Sequence, residues 1–335
     1  MVFLIFYLLR HRDRTESLDV PESSGTLMKK VLLIGVPITL SNSAMSIITL
    51  IDSKIVLGRL EAISSLLAEK PAALYGQYTF GMDLINLPPS FVYPVTMSLI
   101  PFAAAAMARK DSAGANRIIS SAFRLIAILA IPAGVGLSVL SGPILMMLYP
   151  AQKEAAMAAG PHLQVLGIAC IFICLMTLTN AILQSYGHER IPICTMIAGG
   201  IVKIVMNYVL VGNPDINIHG APISTLCCYL VISGLNLFFV WKYSPEKPRY
   251  LQLFTKPVIA SALMGGAAWA VHGLVLQALT GGEYAYGANA LATFLGIGAG
   301  VVVYFVLVIA LRILRAEDMK GIPHGQTLVR LLHLR

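Results

Sequence analysis

Residues 31–60, VLLIGVPITLSNSAMSIITLIDSKIVLGRL, are apolar and long enough to cross a membrane, yet a line of polar side chains runs through them. Thr39, Asn42, Ser46, Thr49 and Ser53 are separated by steps of three or four residues, the spacing that keeps side chains on one face of a helix. A plain anchor has no use for such a face. Lipid cannot hydrogen-bond to it, so the face is expected to look into protein or a water-filled cavity. Asp52 and Lys54 near the far end strengthen that expectation.

The composition puts the rest of the chain in the bilayer as well. Of 335 residues, 57% are hydrophobic and only 12% charged, whereas a soluble domain has about 25% charged. Cys170, Cys174, Cys194, Cys227 and Cys228 all lie in apolar stretches without disulfide or metal-ligand spacing, and read as small buried residues. Eight segments are long enough to span, at approximately 31–57, 78–106, 118–141, 163–185, 191–211, 221–241, 257–277 and 288–311. The chain is therefore expected to be an all-α polytopic membrane protein. Ahead of the spans stands MVFLIFYLL, too short to cross and followed at once by RHRDR. The charge order is the reverse of a signal peptide's, so the stub is expected to be the last turns of a helix whose beginning lies elsewhere.

Basic residues are distributed unevenly between the two sides. With the N-terminal segment inside, eighteen fall on inner segments, against Arg59, Lys70 and Lys153 outside. Both termini are thus expected in the cytoplasm. The net charge of +8 then reflects topology and anionic lipid at the cytoplasmic face, not nucleic acid.

The second span repeats the design of the first. Thr79, Asp83, Asn86, Ser90 and Tyr93 again share one face, and Pro88, Pro89, Pro94 and Pro101 in the same stretch are expected to bend it. Small polar residues can also mediate helix packing, but the two acids tip the reading toward a cavity. Lys203 lies near the middle of its span, where an isolated charge costs at least about 2.5–3.5 kcal/mol. It shares a face with Thr195, Gly199 and Asn207, and is either ion-paired with Asp83 or Asp52 or turned toward a substrate. Arg124 is close enough to a span end to snorkel. Thr177, Asn180 and Gln184 are explained by packing, and Gly296 and Gly300 form a close-contact motif. His162, His188 and His219 read as exposed loop residues. No catalytic constellation, metal-ligand cluster or cofactor motif appears, which argues against an enzyme.

Three stretches together carry a family resemblance: GVPITLSNSAMSIITLIDSKIVLGRL, YGQYTFGMDLINLPPSFVYPVTMSLIPFAAAA and NRIISSAFRLIAILAIPAGVGLSVLSGPILMMLYP. In their order and spacing they resemble the polysaccharide flippase branch of the multidrug, oligosaccharidyl-lipid and polysaccharide exporter superfamily, especially the stage V sporulation protein B group and lipid II flippases. The resemblance implies a fourteen-helix plan of two six-helix lobes plus two further helices. On that plan residues 1–9 are a helix remnant and 10–30 a basic cytoplasmic linker. Residues 31–243 form the second lobe, 244–312 the two additional helices, and 313–335 a basic tail. The first lobe would be absent, or encoded separately as a partner. The implied activity is translocation of an undecaprenyl-pyrophosphate-linked saccharide or peptidoglycan precursor across a bacterial plasma membrane by alternating access. Lys54 and Lys203 are the candidate cations for the pyrophosphate. The alternatives are a cation-coupled drug exporter with Asp52 or Asp83 as the ion site, and a non-transporting remnant or scaffold.

Overall fold

The computed structural model describes residues 23–67, 69–244, 247–280 and 285–313; the N-terminal stub and the basic tail lie outside the described residues. Ten α-helices follow in order: α1 Ser24–Ala62, α2 Pro71–Ile85, α3 Leu87–Ala108, α4 Ser112–Val139, α5 Ser141–Leu148, α6 Lys153–Ser185, α7 Arg190–Leu210, α8 Gly220–Tyr243, α9 Tyr250–Thr280 and α10 Tyr286–Ala310. Against the eight spans expected, seven units among the described residues are long and apolar enough to cross a membrane, α2 with α3 as one, α4, and α6 to α10; α1 is not among them. The 39-residue α1 covers the first expected span. Several helices start earlier than hydropathy suggests, α6 at Lys153 and not near 163. Backbone hydrogen bonding continues past the hydrocarbon edge, whereas an apolar window registers only the greasy part.

Prolines shape the bundle as their chemistry dictates. The second span is broken at Asn86, because Pro88 and Pro89 have no N–H to offer the carbonyls one turn back. The Ile85 carbonyl, which Pro89 would otherwise satisfy, accepts from the Cys170 thiol of α6 at 3.4 Å. In α4, Pro132 leaves the Ile128 carbonyl free, and the Tyr304 hydroxyl of α10 donates to it at 2.9 Å. Each freed carbonyl is thereby tied to a neighbouring helix.

Helix α6 is the hub, packing against α2, α3, α4, α5 and α8. Helix α1 lies along α7 and also meets α2, while α9 lies along α4, and α10 packs on α9 and α5. The last pair packs closely where the sequence motif expects it: a Cβ on Gly296 would come within 2.9 Å of the Ala268 carbonyl oxygen.

Two readings need correction. His162 is not a loop residue; it lies inside α6, is buried, and its Nε2 sits 3.0 Å from Nδ1 of the exposed His219. Its position just ahead of the apolar window hid the helix around it. Cys170, Cys174 and Cys228 are buried as expected, but Cys194 is exposed, on a face of α7 turned away from its neighbours.

Candidate functional site: an open polar face and a buried ion pair

Helix α1 presents polar groups in two directions. Ile48, Asp52, Val56 and Leu60 recur every fourth residue and form its inward face; Val56 and Leu60 are fully buried, and Asp52 is 4% exposed. That face rests on α7 at Gly200. A Cβ on Gly200 would come within 2.7 Å of Ile48 Cδ1, and one on Gly199 would collide with Ile232 of α8, so bare backbone is what allows α7 to sit between α1 and α8.

One turn further along α7, Lys203 Nζ lies 2.9 Å from Asp52 Oδ2. The Asn207 amide donates to the other carboxylate oxygen, and its own side-chain carbonyl accepts from the Ser224 hydroxyl of α8. Lys203, Asn207 and Ser224 are all buried. A single carboxylate thus joins three helices with both oxygens satisfied. Next to it Tyr78 of α2 and Thr225 of α8 share a 3.0 Å hydrogen bond. A second buried chain links α7, α8 and α6: Thr195 donates to Asn236 at 2.7 Å, and Asn236 to Asn180 at 2.8 Å.

The other polar direction is open. Thr39, Ser46, Thr49 and Lys54 of α1 are exposed, as are Asp83 of α2, Asn86 at the break, and Ser90 and Tyr93 of α3; Ser53 and Thr79 are half-buried. The side chain of Asn42 lies outside the described residues. Most of these groups bond to their own helix: Thr39 to Gly35 O at 2.9 Å, Thr79 to Gly76 O at 2.7 Å, Asn86 to Met82 O at 2.9 Å and Ser90 to Leu87 O at 2.6 Å. They are not cementing helices together. The exception is Ser53, which accepts from the Tyr75 hydroxyl of α2 at 2.8 Å and so fastens α1 to α2. Asp83 has no hydrogen-bond or ion-pair partner among the described residues. Helix α2 touches both α1 and α3, so the polar stretches lie on adjoining helices.

The family model described as lipid II flippase MurJ matches residues 8–314. The chain belongs to the lipid II flippase MurJ family. With seven helical units among its described residues long and apolar enough to cross a membrane, it is a multi-pass membrane protein. Among curated relatives it is 28% identical over 313 residues to the uncharacterized membrane protein YabM of Bacillus subtilis (strain 168), covering 92% of this chain and 56% of that one. It is 21% identical over 280 residues to stage V sporulation protein B of the same organism, covering 82% and 51%. The match to lipid II flippase MurJ of that organism is 28% over 184 residues, 54% of this chain and 33% of the relative. The chain spans about half the length of the curated relatives it matches. A crystal structure of MATE in the bent conformation superposes with a TM-score of 0.51 at 17% identity, over 91% of this chain and 70% of that one, a likeness of fold.

Within this MurJ-family chain the thirteen candidate residues divide into two groups. Asp52, Lys203 and Asn207 come together inside the bundle, and of the two acids considered for Lys203 it is Asp52 that pairs with it. The remaining residues whose side chains are described lie on or beside the open side. Sequence reading passed over Ser224, Thr225 and Asn236. Their positions on α8 fall on one helical face, 224, 225, 228, 232 and 236, all buried, and that period was the available signal.

Proposed function

We propose that this MurJ-family chain forms one lobe of a flippase for an undecaprenyl-pyrophosphate-linked saccharide or peptidoglycan precursor, with the open side of α1, α2 and α3 as one wall of the transport cavity. The observation that carries this reading is the exposed run of polar side chains whose hydrogen bonds are met within their own helices. Such a face costs little to hydrate and nothing to uncover, which suits a wall that sees water and substrate in turn. Lys54 is the exposed cation for the pyrophosphate, since the charge of Lys203 is already neutralised by Asp52. A complementary six-helix lobe would supply the opposite wall, and both termini would face the cytoplasm. Translocation of a fluorescent undecaprenyl-pyrophosphate saccharide in proteoliposomes, with and without a co-expressed six-span partner, tests this. Movement that depends on Lys54 supports the reading, and no movement under either condition defeats it.

One observation favours a second reading. The unpaired, exposed Asp83 could serve a cation-coupled drug exporter, whereas Asp52 is occupied by Lys203 and Asn207. Drug efflux abolished by Asp83→Asn, with flipping unaffected, would select it.

A further inference from the structure

At the end of the bundle where α4 and α9 begin and α8 and α10 finish, a hollow of about 890 Å³ opens between helices. Six of its lining residues are basic, Arg117, Arg124, Lys247, Arg249, Lys256 and Arg312, and among the described residues no acidic one lines it. It shares no residue with the polar side of α1, α2 and α3. Two of the cations are engaged at helix ends: Lys256 donates to the Leu311 carbonyl at 2.8 Å and Lys247 to that of Trp241 at 2.7 Å. Arg117, Arg249 and Arg312 are exposed, and their side chains make no hydrogen bond or ion pair among the described residues.

Three exposed guanidinium groups around one hollow repel one another unless an anion sits among them. Of the other lining residues Asn116, Ser120, Gln252 and Thr255 are polar, while Leu253, Pro257 and Ile313 form a buried apolar flank and Leu251 is 84% exposed at the edge. Arg124 stands twelve residues into α4, so the basic lining extends from the helix ends onto a membrane helix. A soluble anion needs no apolar flank. A lipid head group does, and basic clefts between membrane helices on the cytoplasmic side are suited to anionic head groups.

We propose that this hollow is a binding site for the phosphate head group of an anionic phospholipid, with Arg117, Arg249 and Arg312 at its mouth. It is separate from the transport cavity and stands whether or not the chain moves lipid-linked saccharides. The site holds α4, α9 and α10 together through one shared anion.

The test uses the purified full chain in neutral detergent, with native mass spectrometry reading retention of phosphatidylglycerol against phosphatidylcholine. Phosphatidylglycerol is expected to be retained at least about tenfold better, with roughly a fivefold loss for each arginine removed in Arg117→Gln/Arg249→Gln/Arg312→Gln. The variant Arg109→Gln/Lys110→Gln/Arg190→Gln removes as many charges from the same end outside the hollow, and is expected to stay within about twofold of the parent. Equal losses in the two variants would overturn the site. Displacement of the lipid by soluble glycerol phosphate at matched concentration would overturn its lipid character. Equal melting temperatures of parent and triple variant in phosphatidylcholine establish that the variant is folded. If it is not, Arg249→Gln alone carries the same comparison.

Discussion

Asp52 and Ser53 are neighbours in sequence, yet their side chains belong to opposite kinds of environment. The 100° turn between successive helical residues sends Asp52 into a buried network with Lys203, Asn207 and Ser224, while Ser53 stays with the polar line that ends on the open side. In the buried region every polar group leans on another helix. On the open side most lean on their own. The first arrangement makes polar residues structural, because removing one strands its partner. The second makes them expendable for folding and available for contact with something else.

Breaking the buried pair should therefore have the largest effect on stability. Lys203→Met leaves Asp52 as an uncompensated buried carboxylate and is expected to cost about 3–5 kcal/mol, read as a fall in melting temperature in detergent. The double variant Asp52→Asn/Lys203→Met should recover most of that loss. Equal losses in the single and double variants would mean that the pair is not the element holding α1 to α7. Next comes Asn207→Leu, which removes the charge-assisted hydrogen bond to Asp52 and leaves Ser224 only its bond to the Ala221 carbonyl, at about 1.5–3 kcal/mol by the same readout. Tyr304→Phe removes only the hydroxyl that answers the proline-freed Ile128 carbonyl, and should cost about 0.6–1.5 kcal/mol. Smallest of all should be Thr39→Val and Ser90→Ala on the open side, within about 0.5 kcal/mol of the parent. A large loss from either would dissolve the distinction between the two regions.

Much of the architecture was legible because it follows from two periods. Apolar length located the spans, and the three-and-four spacing from Thr39 to Ser53 and from Thr79 to Tyr93 marked the two polar lines. Prolines 88 and 89 announced the bend, although not that Cys170 would satisfy the carbonyl they release. What spacing could not convey is which way a helix is rotated in the bundle. Asp52 sits beside the polar line in number but a fifth of a residue short of a third of a turn away in direction, and only the glycine contacts of α7 decide that it faces Lys203. Asn236 and Ser224 were passed over for a related reason. Single polar residues in an apolar span have no visible partner until the helices are assembled.

The account rests on the open side of α1, α2 and α3 being exposed to water and not to lipid, and thiol labelling measures this most directly. In a variant with all five native cysteines replaced by alanine, Ser46→Cys, Asp83→Cys and Ser90→Cys should react with a membrane-impermeant maleimide in cells. Phe294→Cys and Phe305→Cys, on the exposed apolar face of α10, should not. Labelling of the first three and protection of the last two is the predicted result, and protection of all five positions would contradict the account.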